Sequence, residues 1–281
     1  MGILGPGRVA VAVAAPGAGP GFWAGASSAA FAPDGELVIA YRLRTPDQRG
    51  AGIVIARSDD GERLTTIATL DKESFGAESL ERPALVHTGG GWRLYISCAT
   101  PGTKHWRIDV LESRDPEGLA AAASRTVFPG SHTVGVKDPV VRRVDGRWRA
   151  WICCHPLDVH GEEDRMTTAL ATSDDGLDWT WRGVVLAGRP GTWDARGARV
   201  TAVLSDGTAY YDGRATKEEN FSERTGLALP AGDALSAHDD EPVAAVRYID
   251  IVASPSGERL AYYERPRQDG SHELCVERLT R

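Results

Sequence analysis

The feature that most constrains this chain is a hairpin pattern that occurs five times along its length. In each copy a short apolar strand leads into a turn that contains glycine, and a second strand with aromatic residues follows. The turn glycines are Gly35, Gly91, Gly146, Gly207 and Gly257, at successive spacings of 56, 55, 61 and 50 residues. Two strand-like runs around a short glycine turn indicate a β-hairpin. Helical periodicity is confined to a short stretch over residues 117–124, so the chain is predicted to be nearly all β.

A second landmark recurs inside the repeat. Ser58-Asp-Asp-Gly61 and Ser173-Asp-Asp-Gly176 each follow a short apolar strand, and Ser113-Arg-Asp-Pro-Glu-Gly118 has the same place in the second unit. Each predicts a turn between a third and a fourth strand. Four-stranded units repeated at such a period are typical of a β-propeller. We therefore predict a five-bladed β-propeller with four-stranded antiparallel blades. The alternative, a β-sandwich with coincidental spacing, requires neither landmark.

We expect residues 1–281 to form one propeller domain. The predicted blades cover residues 20–70, 79–125, 135–186, 193–230 and 243–281. Within the N-terminal segment 1–19, the apolar stretch Val9 to Ala15 is predicted to pair with Leu274 to Leu279 and close the ring.

Composition excludes some functions. The chain has 32 Lys and Arg against 39 Asp and Glu, a net charge of −7, and its basic residues are scattered, which disfavours nucleic-acid binding. No apolar run approaches the roughly 18 residues that cross a bilayer, and Val9 to Ala15 is too short for a signal-peptide core. We expect a cytoplasmic protein without membrane partners. Its four cysteines, at positions 98, 153, 154 and 275, are predicted to be reduced and mostly buried. The oligomeric state is left open.

Propeller geometry indicates which polar residues are candidates for the functional site. The first strand of each blade lines the central channel, and the segments that lead into these strands converge on one face. Polar groups in these segments are therefore the functional candidates. The segments are residues 22–28, 81–82, 137–138, 193–199 and 247–250.

The chain resembles the five-bladed propeller glycoside hydrolases of family 43 and the related arabinanase, invertase and levansucrase group. The family 130 mannoside phosphorylases are more distant relatives in this resemblance. The resemblance covers about residues 20–281. It is carried by Gly135-Val-Lys-Asp-Pro-Val140, by Ala171-Thr-Ser-Asp-Asp-Gly-Leu-Asp-Trp179, and by the Gly-Trp-Arg-Leu-Tyr sequence at 91–95.

The resemblance implies three catalytic positions. Family 43 uses an Asp entering blade one as general base, an Asp-Pro entering blade three to orient and tune the acid, and a Glu from the next blade as the acid. Asp138 of Asp138-Pro139 matches the orienting carboxylate. Residues 23–28 offer no carboxylate in blade one, and blade four offers Asp194 but no Glu at its entrance. The catalytic residues are thus expected to diverge from the family pattern.

Glycoside hydrolysis requires two carboxyl groups with different protonation states. Four neighbouring blades supply Glu81, Asp138, Asp194 and Asp250, which we take as the candidate catalytic set. The alternative is that each pairs with an adjacent base: Glu81 with Arg82, Asp138 with Lys137, and Asp194 with Arg196.

The same segments supply candidate substrate-binding residues. Four cations at the channel would suit phosphate or a sugar carboxylate, although arginines there also tie blades together. Aromatic rings offer stacking platforms for sugars, and one histidine near blade three is a further candidate contact. These residues are Arg82, Lys137, Arg199, Arg247, Trp23, Trp193, Tyr248 and His155.

No metal-binding spacing is present, so we expect no cofactor, although a structural calcium ion in the channel would leave no signature in the sequence. The predicted function is cleavage of a glycosidic bond in a small carbohydrate substrate by channel carboxylates. Two alternatives stay open: a glycoside phosphorylase that uses phosphate, and a carbohydrate-binding propeller without catalysis.

Overall fold

The computed structural model describes Leu4 and residues 8–279, and almost all of its regular structure is β-strand. Two short 3-10 helices, Glu73–Phe75 and Glu117–Ala121, lie between strands, the second within the stretch of helical periodicity. No helix in the described residues is long and apolar enough to span a bilayer.

The strands form five groups of four. Blade one contains β2 (Trp23–Phe31), β3 (Leu37–Arg44), β4 (Gly52–Ser58) and β5 (Thr65–Asp71). Blade two contains β6 (Leu80–His87), β7 (Trp92–Ala99), β8 (Trp106–Ser113) and β9 (Arg125–Phe128). Blade three contains β10 (Val134–Val144), β11 (Arg147–Pro156), β12 (Thr167–Ser173) and β13 (Thr180–Ala187). Blade four contains β14 (Gly197–Val203), β15 (Ala209–Arg214), β16 (Arg224–Ala231) and β17 (Ala234–Ala237). Blade five contains β18 (Arg247–Ala253), β19 (Arg259–Pro266), β20 (His272–Leu279) and the N-terminal β1 (Ala10–Val13).

Strand pairing follows the propeller pattern. Within each blade successive strands are antiparallel, and blades two, three and four are separate four-stranded sheets. Blades one and five are joined by a parallel pair, Trp23 with His272. The N-terminal β1 runs antiparallel to β20, with Ala10 opposite Val276, so the start of the chain completes the last blade. The predicted all-β, five-bladed propeller fold is confirmed.

The hydrophobic core lies between blades. One cluster joins Ile53 and Ile55 of blade one to Leu85 and Leu94 of blade two, and similar clusters fill the spaces between other blades. Each blade buries both of its faces because it packs on a neighbour at each side, which explains the continuous apolar runs in the inner strands. The four cysteines are free and buried.

The Ser-Asp-Asp-Gly turns lock neighbouring blades together. The Ser173 hydroxyl accepts a hydrogen bond from the Gly176 N–H at 2.8 Å, which fixes the turn, and the buried carbonyl of Gly176 accepts one from the Tyr95 hydroxyl of blade two at 2.7 Å. Blade five repeats the arrangement, because the Tyr262 hydroxyl donates to the carbonyl of Gly61 at 2.7 Å. The recurring Ser-Asp-Asp-Gly turn of the sequence therefore forms a contact between neighbouring blades.

Deletion of residues 1–15 tests the closing strand. Without β1 the backbone edge of β20 loses its partner, so we expect the melting temperature to fall by about 5 to 10 °C, equivalent to about 2 to 4 kcal/mol. Thermal unfolding followed by circular dichroism measures this. Deletion of residues 1–7 is the control because it keeps Ala10–Val13. Equal melting temperatures for both deletions would show that β1 contributes nothing to ring closure.

The substitution Tyr95→Phe tests the lock between blades. It leaves the buried Gly176 carbonyl without its donor, and we expect a loss of about 1 to 2 kcal/mol in the free energy of unfolding. Tyr210→Phe is the matched control, since the Tyr210 side chain is half-buried and no partner for its hydroxyl is found in the described residues. Urea denaturation compares the two variants, and equal losses would contradict the assignment.

Candidate functional site

The inner strands bulge where they reach the channel. In β2, β10 and β18 the pairing register shifts, and in each bulge one residue other than glycine has a positive φ: Ala26 at 50°, Asp138 at 51° and Tyr248 at 52°. Backbone in this region is strained for such residues, and bulges re-aim side chains beside functional sites. The repeated strain marks this level of the channel.

The residues just before these bulges, together with their counterparts in blades two and four, form one tier, which we call the channel ring. Its members are Gly25, Glu81, Lys137, Arg199 and Arg247, which pair across their blades with Arg42, Ser97, Cys153, Asp212 and Glu264. Four ring positions are charged residues from the predicted entrance segments. The position in blade one is a glycine.

A cavity of about 510 Å³ opens above the channel ring. Seven predicted site residues line it: Glu81, Lys137, Arg199, Arg247, Trp23, Tyr248 and His155. The cavity thus collects residues from all five blades. The lining contains nine Lys or Arg and five Asp or Glu among the described residues, although the whole chain carries a net charge of −7.

Asp138 lies beneath the cavity and is fully buried. Its backbone N–H donates to the Ser97 hydroxyl at 2.8 Å, which holds the bulge. Its carboxylate accepts from Arg199 at 3.0 Å and from the Tyr248 hydroxyl at 3.4 Å, and it lies 3.6 Å from the Lys137 ammonium. Burial alone would raise the pKa of Asp138, but Lys137 and Arg199 hold it below its usual value. Asp138 is therefore ionised and contacts a lysine on the cavity floor.

A chain of buried ion pairs crosses the channel beside Asp138. It runs from Glu81 to Arg42, then to Glu264, Arg247, Glu223 and Arg214. Arg42 contacts Glu264 at 2.8 Å, Arg247 contacts Glu264 at 3.8 Å and Glu223 at 3.1 Å, and Arg214 contacts Glu223 at 2.6 Å. These six side chains are at most 4% exposed. Buried charges are tolerated when they are paired. This series of ion pairs therefore fixes the relative positions of four blades.

Glu264 takes the space that a side chain at Gly25 would need. A Cβ on Gly25 would lie 1.9 Å from the Glu264 Cγ, which is far inside contact distance. The blade-one position lacks a carboxylate, and a carboxylate from blade five fills its place. Burial opposes ionisation of Glu264, but Arg247 and Arg42 outweigh it and lower its pKa to about 2.

Two predicted carboxylates lie away from the cavity. Asp194 accepts from the Tyr211 hydroxyl at 2.7 Å and pairs with Arg189 at 3.0 Å, not with Arg196. Asp250 accepts from the Ala29 N–H at 2.7 Å and from Arg142 at 3.3 Å. Both carboxylates anchor backbone or side chains of the fold.

Two predicted binding residues are also outside the cavity lining. Arg82 donates to the Thr201 carbonyl at 2.5 Å and lies 3.9 Å from Asp250, so Glu81 has Arg42 and not Arg82 as its partner. Trp193 stacks on Tyr211 with ring centroids 5.7 Å apart, inside the core of blade four.

His155 is held as a neutral ring in the cavity wall. Burial and the nearby Lys137 lower its pKa to about 4. In the neutral ring, Nδ1–H donates to the Glu163 carbonyl at 2.9 Å, which leaves Nε2 as the acceptor facing the Cys153 Sγ at 3.5 Å. Burial raises the pKa of the Cys153 thiol, so this cysteine is not a nucleophile.

Sequence reasoning missed several cavity residues. Arg42 and Arg44 lie two positions apart at the end of β3, so their side chains share one face of the strand, and this spacing was visible in the sequence. Glu223 and Phe221 belong to the segment between β15 and β16, where no periodic pattern applies. Phe221 has a φ of 80° and is 41% exposed, an unusual conformation for a bulky residue that presents its ring at the cavity.

No group of three or more His, Cys, Asp or Glu side chains is arranged to hold a metal ion in the described part of the chain.

Glu264→Gln tests the central ion pairs. Because the pKa of Glu264 is about 2 in the folded protein and its ordinary value is 4.5, its stabilising effect is complete above pH 4.5 and is lost as the pH falls through about 2. We expect the variant to lose about 3 to 5 kcal/mol at pH 7, and less as the solution becomes acidic. Denaturant titrations at several pH values measure this, with Glu258→Gln in a half-exposed pair as control. A cost independent of pH would refute the ion-pair role.

Several solved structures share the fold of this chain. No protein-family model and no curated protein sequence matches it. Among solved structures, the α-L-arabinofuranosidase from Lactobacillus brevis is 14% identical with a TM-score of 0.71, and the alignment covers 96% of this chain and 91% of that one. A thermostable family-43 glycoside hydrolase is 15% identical with a TM-score of 0.70, covering 97% and 93%. The β-1,2-mannobiose phosphorylase from Listeria innocua is 14% identical with a TM-score of 0.62, covering 98% and 92%. At these identities the comparison shows that the chain shares the propeller fold of these glycoside hydrolases and phosphorylases.

Proposed function

We propose that the protein is a carbohydrate-active enzyme that cleaves a glycosidic bond in the cavity above the channel ring. The observation that carries this proposal is that two buried carboxylates, Glu81 and Glu223, line one polar cavity of about 510 Å³. That volume lies within the range of small-molecule sites. The shared fold supports a carbohydrate substrate by analogy.

Aromatic rings provide the platform for a sugar. Phe221 is 41% exposed at the cavity, and its ring centroid lies 4.9 Å from that of the buried Trp23, which supports it from behind. Trp106 also lines the cavity, with Lys137 over its ring at 4.3 Å. Sugar C–H faces pack on such rings while the surrounding charged groups bond the hydroxyls.

The two carboxylates receive different roles. Burial opposes ionisation of Glu223, but Arg247, Arg199 and Arg214 lower its pKa, so it is the base that activates water. Glu81 is then assigned to protonate the leaving oxygen, because acid–base hydrolysis requires a second carboxyl group. Asp138 acts from below by holding Lys137 and Tyr248 in place.

A carbohydrate-binding propeller without catalysis is the second candidate. It is favoured by the ion pairs of Glu81 and Glu223 and by Gly25 at the blade-one position of the channel ring. The two candidates differ in whether any product forms.

A mass-spectrometric turnover screen with oligosaccharides and aryl glycosides, with and without phosphate, tests the proposal. We expect product from the wild type and a loss of about 10²- to 10⁴-fold in Glu223→Gln and Glu81→Gln, the usual effect of removing an acid or base. Asp138→Asn is expected to lose activity through the displaced Lys137. Glu62→Gln, on the surface, is the control.

Melting temperatures of all variants separate loss of chemistry from loss of folding. Full activity in folded Glu81→Gln and Glu223→Gln would refute the assignment of these residues. Saturable sugar binding without product from any substrate would replace the enzyme with the binding propeller. Product that requires phosphate would identify phosphorolysis.

A further inference from the structure

Three cations in the cavity wall have less carboxylate neutralisation than the arginines below them. Arg44 has no ion-pair partner in the described residues, and its buried Nε has no hydrogen-bond acceptor there. Arg49 has one ion-pair contact in the described residues, 3.8 Å to a Glu81 carboxylate that Arg42 already occupies, and Glu78 is a more distant carboxylate neighbour. Lys137 shares Asp138 with Arg199, which lies closer to that carboxylate.

These three cations are neighbours. Arg49 and Lys137 both lie over the ring of Trp106, at 5.9 and 4.3 Å from its centroid. Arg44 stacks on Trp23 at 4.3 Å and lies 5.4 Å from the Phe221 ring. Burial, together with neighbouring cations that include Arg49, lowers the pKa of Arg44 to about 10 and that of Lys137 to about 8. Arg49 therefore lies near both Arg44 and Lys137.

The deeper arginines do not share this property. Arg42, Arg199 and Arg247 each contact two carboxylates in the buried ring. Part of the positive excess of the cavity therefore lies at Arg44, Arg49 and Lys137, and aromatic faces hold these three side chains in place without neutralising them. The exposed Lys104 and Lys217 add to this excess.

We propose that Arg44, Arg49 and Lys137 form an oxyanion subsite, so that the carbohydrate bound in the cavity carries or is accompanied by a carboxylate or phosphate group. The saccharide part of this inference rests on the proposed function. Two guanidinium groups offer fork-shaped donors that match either oxyanion, and Lys137 adds a point charge on the floor. A uronic acid and free phosphate are the two sources of this chemistry.

Binding is measured by isothermal titration at low ionic strength with sodium glucuronate, inorganic phosphate and glucose. We expect an oxyanion to bind the wild type at least ten-fold more tightly than glucose. Arg44→Gln and Arg49→Gln are expected to weaken that binding ten-fold or more. Arg63→Gln is the matched control, because its side chain is 88% exposed and outside the cavity.

The pH provides a second readout for Lys137. Glucuronate keeps the same charge between pH 6 and pH 9, whereas Lys137, with a pKa of about 8, loses its charge over this range. We expect glucuronate affinity to fall as the pH rises through about 8, and Lys137→Met to be weaker at pH 7 and insensitive to this change.

Each outcome decides the matter. Preference for glucuronate identifies a sugar carboxylate and preference for phosphate identifies a free anion, and both support the subsite. Equal affinity for glucose and both anions, or anion binding that Arg44→Gln and Arg49→Gln leave intact, overturns it. Anion binding at these residues without turnover of any glycoside keeps the inference and overturns the enzyme. Cleavage of neutral saccharides at rates unchanged in Arg44→Gln and Arg49→Gln keeps the proposed enzyme and overturns the oxyanion subsite.

Discussion

The structure depends on one continuous set of buried polar contacts around the channel. Arg42 of blade one joins Glu81 of blade two to Glu264 of blade five. From Glu264 the contacts pass to Arg247 and on to Glu223 of blade four. The N–H of Tyr248, the residue after Arg247, donates to Asp212 of blade four. Arg199 then contacts both Asp212 and Asp138 of blade three. The Ser97 hydroxyl, bonded to the Asp138 N–H, returns the chain of contacts to blade two. The apolar core holds each blade only against its two neighbours. These charged contacts link all five blades at the level of the cavity.

This arrangement is a costly way to stabilise a core, because each buried charge loses its hydration. The bulges reduce this cost because they bring hydrogen-bonding groups to the buried charges. By placing Asp138 and Tyr248 in left-handed backbone, the fold aims a carboxylate, a hydroxyl and backbone N–H groups at the same point, and the Tyr248 N–H is bonded to Asp212 at 3.1 Å. Backbone strain is thus combined with nearly complete pairing of the charges. Strain and buried charge at one tier of the channel are a combination typical of functional sites.

The propeller was predictable from the sequence because its repeat is local. A hairpin with a turn glycine, and a Ser-Asp-Asp-Gly turn, depend on residues a few positions apart, and the entrance segments predicted four of the five ring positions. The rest of the site depends on contacts that no local pattern contains. Glu264 fills the space at Gly25 from 239 residues away. Asp250 and Asp138 look alike as entrance carboxylates, but the bulge falls before Asp250 and within residues 138–139, which sends the two side chains to different levels.

The distribution of charge also connects the proposed chemistry to the proposed ligand. A general acid must be protonated when the substrate is bound, yet Glu81 lies against Arg42 and near Arg49, both of which favour its ionised form. An oxyanion bound between Arg44, Arg49 and Lys137 would neutralise Arg49 and place negative charge near Glu81. Both effects favour a protonated Glu81, whereas Glu223, paired with Arg247 and Arg214 on the other side of the ion-pair chain, stays ionised. On this proposal the ligand itself separates the protonation states of the two carboxylates, so binding of the anion and readiness for proton transfer are linked in one free energy.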